Sequence, residues 1–215
     1  MTETTALITP VGTAAWPKLF VAALPHNAKA DDKPKFTMAL LFDEAGMASP
    51  EMATLQAAVM DCGVAKWGEA KFRVMLEEGA VKLPFLKDIA TKGYPPHIKR
   101  YINIASGENY PPAVVDRSSN AIKDTRAIIS GTQVRASVSV RAYGGPGVTA
   151  KNGSPVSPGI QIDMRNVQKV NEGTPLSIGG SGDAKADFGS APLPAVVEPP
   201  IAAMPGGKSL AEMMG

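Results

Sequence analysis

A chain of 215 residues with 22 Lys and Arg against 20 Asp and Glu can form one domain with a substantial core, and its net charge of +2 by itself points to no partner. A single cysteine, Cys62, excludes an internal disulfide and a cysteine-rich metal site, while His26 and His97 have no ligand-type neighbours at helical or hairpin spacing. The opening residues carry neither a basic n-region nor an apolar run of signal-peptide or membrane-span length, so the protein is expected to stay in the cytoplasm where it is made, away from membranes.

In chain order, residues 6–9 read as a short apolar strand and residues 10–12 as a turn, after which Pro17 should hold Trp16 extended. Residues 25–34 are polar and turn-rich. Residues 36–42 alternate, with Phe36, Met38, Leu40 and Phe42 on one face, and residues 43–46 end that strand. Ser49-Pro50-Glu51 supplies a hydroxyl cap, a proline at the first helical position and a carboxylate in the first turn. Met52, Leu55 and Val59 then form the apolar stripe of a helix expected to end near Gly63, with Cys62 as a small apolar residue in or near it. A second helical pattern over residues 65–78 places Trp67, Ala70 and Val74 on one stripe before Gly79 stops it, with Trp67 as a core anchor.

Residues 83–96 read as a helical turn and loop. Residues 99–105 read as a strand with Ile102 and Ile104 inward and Lys99, Tyr101 and Asn103 outward. Residues 111–116 form a short strand entered through prolines, suited to a sheet edge, followed by a polar turn at 117–120. Residues 132–143 alternate without a break. Val134, Ala136, Val138, Val140 and Ala142 fall on one side; Gln133, Arg135, Ser137, Ser139, Arg141 and Tyr143 fall on the other. That outer set contains no acid. Two guanidiniums and a phenol on one sheet face suit a phosphate backbone with unpaired bases, and equally an ordinary solvated face. A glycine- and proline-rich connection over 143–158 leads to a last strand, residues 159–170. There Ile160, Ile162 and Met164 face one way, and Gln161, Asp163, Arg165 and Val167 the other.

Composition changes beyond residue 171. The Gly, Pro and Ala run is too poor in apolar surface to order itself, which divides the chain into a domain at 1–171 and a disordered tail at 172–215. At the tail's end, Ser209 could cap one helical turn presenting Leu210, Met213 and Met214 to a partner. Charge follows the same divisions. Residues 1–98 carry ten basic and eleven acidic side chains, residues 99–171 ten against four, and residues 172–215 two against five. The basic middle stretch suggests a local anion-binding surface.

Three function classes follow: a sequence-nonspecific single-strand binder, an enzyme, and a virion structural or assembly protein. Gly179-Gly-Ser-Gly182 lacks the Gly-Lys-Ser/Thr ending of a phosphate loop and has no strand before it or helix after it. No nucleophile–base arrangement has local support, and no cofactor is called for. A metal-dependent nuclease would require the fold to gather the dispersed carboxylates Asp116, Asp124 and Asp163.

The ordered set Thr9-Pro-Val-Gly12, Trp16-Pro17, Lys35-Phe-Thr-Met-Ala-Leu-Leu-Phe42, Val114-Val-Asp116, Ser130-Gly131, Arg135-Ala-Ser-Val138, Arg141-Ala-Tyr143 and Asn166-Val-Gln-Lys-Val170 resembles the bacteriophage single-stranded-DNA-binding proteins related to podovirus helix-destabilising proteins. The resemblance spans roughly residues 6–175. It implies a mainly β chain with a helical insertion, an OB-fold-like antiparallel β-barrel and a flexible C-terminal tail that contacts replication or recombination proteins. Trp16, Tyr101 and Tyr143 would then stack on bases, and Arg135 and Arg141 would contact phosphates. Lys99 and Arg165 join them as basic residues on outward strand positions. In the family the tail is strongly acidic and ends in an aromatic residue; here five acids are dispersed over it and the chain ends Met-Met-Gly.

Overall fold

The computed structural model describes residues 7–25, 28, 32–150 and 153–176. Its elements are β1 (Leu7–Ile8), β2 (Gly12–Ala23), β3 (Lys35–Phe42), α1 (Glu44–Met47), α2 (Pro50–Trp67), α3 (Glu69–Glu77), β4 (Arg100–Gly107), β5 (Ala113–Val115), β6 (Gln133–Tyr143) and β7 (Gly159–Asn171). The result is a mainly β protein. Seven strands form one sheet in the order β1-β6-β2-β3-β4-β7-β5, and β6 also pairs with β7. The β4–β7 and β5–β7 pairings are parallel, which corrects the expectation of a wholly antiparallel sheet. Such pairings join segments far apart in sequence and leave no mark on either strand's own alternation.

Inward residues of six strands make the main core, including Phe36, Met38, Leu40, Ile102, Ile104, Val134, Val138 and Ile162, and α2 adds Met52 and Leu55. Helix α2 begins as its sequence dictates: Ser49 Oγ accepts the Met52 N–H at 3.2 Å and Pro50 takes the first position. It does not stop at Gly63. That glycine is buried, and its missing side chain makes room for the Phe72 ring, so the helix runs on to Trp67. Gly68, at a φ of 80°, makes the break. In α3 the buried residues are Phe72 and Met75, whereas Val74 is exposed, so the expected Ala70–Val74 stripe was misplaced around the helix. Trp67 is a half-buried anchor. It stacks on Phe72 at 5.6 Å, and its Nε1–H donates to Gly144 O at 3.4 Å.

Two of the four register shifts in the β2–β3 and β6–β7 pairings alter the strand parity of candidate site residues. Trp16 has a φ of 45°, a left-handed rather than extended conformation, and the β2–β3 register shifts between Ala15 and Lys18. Between Ser137 and Val138 the β6–β7 register shifts so that Ser137 faces Asn166 and Val138 faces Met164. Beyond that bulge β7 reverses phase, and Val167, expected outside with Arg165, is fully buried.

Past β7, Leu176 donates its N–H to Ser130 O at 3.1 Å and packs beside Tyr94 and Tyr101. His26, the tail beyond Leu176 and the Ser209 turn lie outside the described residues.

Candidate nucleic-acid interface

The outer face of the sheet is shaped by its register. Lys18 stands opposite Thr37, Thr37 opposite Ala105, Ala105 opposite Asp163 and Asp163 opposite Ser139, one row across β2, β3, β4, β7 and β6. Its middle members are small. A flat chain can therefore approach the backbone closely while Lys18 stands at one end of the row. Two residues further along β3, Lys35 pairs with Gly107, another position without a side chain to block approach.

At that end a groove of about 400 Å³ is lined by Lys35, Tyr110, Arg141, Gln161 and Asp163 among others. Tyr110 is 76% exposed. Arg141 reaches across to β7, where its Nε–H donates to Asp163 Oδ2 at 3.0 Å, and Gln161 Nε2 donates to Asp163 Oδ1 at 2.6 Å. The acid-free character read for β6 thus holds for that strand alone, because its neighbour places a carboxylate beside Arg141. Exposed pairs of this kind contribute only about 0–1 kcal/mol. Arg141 therefore loses little by exchanging Asp163 for another anion.

At the opposite end of β3 and β4 lies an aromatic cluster. Trp16, 46% exposed, packs on Tyr94 with ring centroids 5.3 Å apart, and Tyr94 meets Tyr101 edge-on at 5.1 Å. Tyr101 does point away from the main core, as its parity demands. It is not an open platform, however: the loop over residues 86–98 covers it, leaving it 2% exposed. Its hydroxyl donates to Asp88 Oδ1 at 2.6 Å. That bond holds the Asp88 carboxyl below its usual range, and burial followed by the Asp88 charge pushes the Tyr94 phenol up to about 12. Burial, then the Asp88 hydrogen bond, raises Tyr101 as well.

The remaining candidates are scattered. Lys99 is exposed beside the start of β4, where its N–H donates to Phe42 O. Lys35 and Phe42 are seven residues apart on β3, so Lys99 lies about 24 Å from the Arg141 groove at the usual strand rise. Tyr143 is half-buried, paired with Gly159 in register, and a Cβ at Gly159 would run into its phenol. Tyr143 thus covers a glycine as well as ending β6. Arg165 is exposed next to the β7 bulge. Arg135 is exposed on the same β6 face as Arg141 but lies in a separate groove, its Nε–H donating to Gln168 Oε1 at 2.7 Å.

Sequence reasoning missed Lys18, Lys35, Tyr94 and Tyr110. Lys35 was legible, since it precedes Phe36 and so belongs to the outward set of β3. The bulge at Trp16 hid the phase of Lys18, and Tyr94 and Tyr110 sit in segments with no period. Among the described residues no three His, Cys, Asp or Glu side chains are grouped to hold a metal, so Asp116, Asp124 and Asp163 are not gathered. Asp116 instead accepts the Ser118 and Asn120 N–H groups at 2.8 Å, which with the Asn120 amide lowers its carboxyl below the usual range. No described helix is long and apolar enough to cross a membrane.

The fold is shared with solved phage single-stranded-DNA-binding proteins. The single-stranded DNA-binding protein of bacteriophage Enc34, solved in complex with ssDNA, superposes with a TM-score of 0.60 at 13% identity, covering 81% of this chain and 91% of that one. The single-stranded DNA-binding protein gp2.5 of bacteriophage T7 gives 0.54 at 15% identity, covering 86% and 94%. At such identities the likeness establishes the fold. No curated protein matches the chain. The family model for the Enterobacter phage Enc34 ssDNA-binding protein matches residues 5–195, and the chain belongs to that family.

Proposed function

We infer that this protein binds single-stranded DNA without sequence specificity, protecting and straightening it during phage DNA replication, recombination or repair. The observation that carries the inference is the family match over residues 5–195. The outer face supplies the chemistry. A strand would cross from the exposed edge of Trp16, past Lys18 and the small residues Thr37 and Ala105, into the groove of Lys35, Tyr110 and Arg141. Lysine and arginine replace condensed counterions along the phosphates, and each ring that takes a base contributes about 1–3 kcal/mol. The distance along β3 suits a site near the short end of the roughly 4–16 nucleotides typical of one OB fold.

An OB-fold-like barrel is the finer reading of the sheet, supported by pairings that run β6–β2–β3–β4–β7 and return to β6. The protein acts without catalysis, in the host cytoplasm. The domain ends near residue 171, and the chain that follows serves as a tail for replisome or recombination partners. Lys99, Arg135, Tyr143 and Arg165 extend the DNA-contacting set around the central track, while Tyr101 acts through Tyr94 and Trp16 as their support.

Titration of the full chain into labelled single-stranded and duplex oligonucleotides tests the function. Preferential single-strand binding that weakens steeply with salt is expected. Salt-independent binding, or none, would refute it.

A further inference from the structure

The geometry points to a second nucleotide subsite, selective for a carbonyl-bearing base over adenine, on the β1–β6–β7–β5 side of the sheet. It rests on the single-strand-binding reading and adds a place where base identity matters. Here two register rows lie side by side. In the first, Ile8 faces Ser137, Ser137 faces Asn166 and Asn166 faces Ala113; in the second, Arg135 faces Gln168 and Gln168 faces Val115. Together they line most of an open groove of about 230 Å³, room for a base.

Each polar group in the groove is either fixed by a neighbour or left wanting one. Gln168 spends its amide on the Asp116 and Arg117 carbonyls, at 3.1 and 3.3 Å, and its Oε1 on Arg135 Nε–H. This pins Arg135 by one nitrogen and leaves its two terminal nitrogens without a partner among the described residues, the donors a phosphate requires. Asn166 Oδ1 accepts the Ala113 N–H at 3.2 Å, which fixes the amide's orientation and leaves its NH2 unpartnered among the described residues. Ser137 Oγ is buried and has no hydrogen-bond partner. An unpartnered buried hydroxyl is rare enough to need a cause.

A base supplies a partner once the Ser137 hydroxyl rotates toward the groove that this residue lines. An NH2 donor beside a hydroxyl suits a ring with a carbonyl oxygen next to a nitrogen, as thymine and cytosine have at C2 and guanine has at C6. Adenine has no carbonyl. Ile8, 44% exposed, and Val115 provide apolar surface for the ring's flat faces. Arg135 takes the phosphate.

The test measures affinity of the full chain for dT, dC and dA oligonucleotides of equal length at one salt concentration. Adenine runs stack on themselves, so the deciding readout is how the dT:dA affinity ratio changes in variants. Wild type should prefer dT and dC to dA. Ser137→Ala should bring the dT:dA ratio at least threefold closer to one while holding or raising the melting temperature, because it removes an unpartnered hydroxyl. Asn166→Ala should act in the same direction. Lys35→Ala, in the central groove, should weaken dT and dA alike and leave the ratio in place. No preference for dT and dC over dA in wild type, or an unchanged ratio in Ser137→Ala, overturns the subsite while single-strand binding stands. Failure to bind any oligonucleotide overturns both.

Discussion

Replacing Trp16 with leucine separates the two tasks its ring performs. Roughly half the ring is exposed, and the rest covers Tyr94. A buried tryptophan hides up to about 250 Å², so the covered half corresponds to about 125 Å², or about 3 kcal/mol at roughly 25 cal/mol per Å². Trp16→Ala would therefore depress the melting temperature as well as binding, and would decide nothing. Leucine keeps apolar cover on Tyr94 and, lacking β-branching, tolerates the left-handed backbone better than valine or isoleucine. It has no π face. If one base stacks on Trp16, losing about 1–3 kcal/mol lowers affinity between about fivefold and 150-fold. Intrinsic fluorescence provides the assay, because the chain has two tryptophans and the other, Trp67, packs on Phe72 in the helical insertion. Single strands should quench wild type and Trp67→Phe, and should leave the emission of Trp16→Leu unchanged. Undiminished quenching in Trp16→Leu, or affinity within twofold of wild type in a stably folded protein, would remove Trp16 from the interface.

Lys18→Ala, Lys35→Ala and Arg141→Ala should each reduce the slope of log affinity against log salt by about 0.7, the single-strand value per lost phosphate contact. Asp163→Asn should raise affinity, by no more than about fivefold, since the exposed pair it frees is worth at most about 1 kcal/mol; a loss would mean that Asp163 orients Arg141. Gly63→Ala should lower the melting temperature by an amount corresponding to about 1–3 kcal/mol, because the new methyl would enter the Phe72 ring, and the gain of up to about 1 kcal/mol in helix propensity offsets only part of this. Tyr94 and Tyr101 have phenols raised above the free value of 10.0, so their neutral forms stabilise the fold fully below pH 10, and that contribution is lost as pH rises from 10 toward 12. Asp88 is depressed, so its contribution is present above its ordinary 3.8 and lost as pH falls below it. Melting temperature against pH, followed with phenolate absorbance, should show the alkaline limb, and Tyr101→Phe should reduce it.

What could be read from the sequence was whatever depends on a single element's own periodicity. The Ser49 cap, the alternation of β6 and the inward set of β3 need no knowledge of neighbours, and each matches the structure. Apart from the misplaced stripe of α3, the failures concern what lies beside an element. Tyr101 was placed on the correct side of β4, yet whether that side meets water depends on a loop with no period of its own. Arg141 was correctly outward, yet the Asp163 that shares its charge comes from a strand paired with β6 across a long connection. Both bulges break the alternation that revealed the strands, and each lies at a proposed contact: one turns Trp16 outward, the other brings Asn166 opposite Ser137. Such departures suit the binding of a flexible polymer. A perfectly alternating strand presents an even surface, whereas a bulge re-aims one side chain and opens a recess beside it, giving a smooth basic sheet distinct places to hold successive nucleotides.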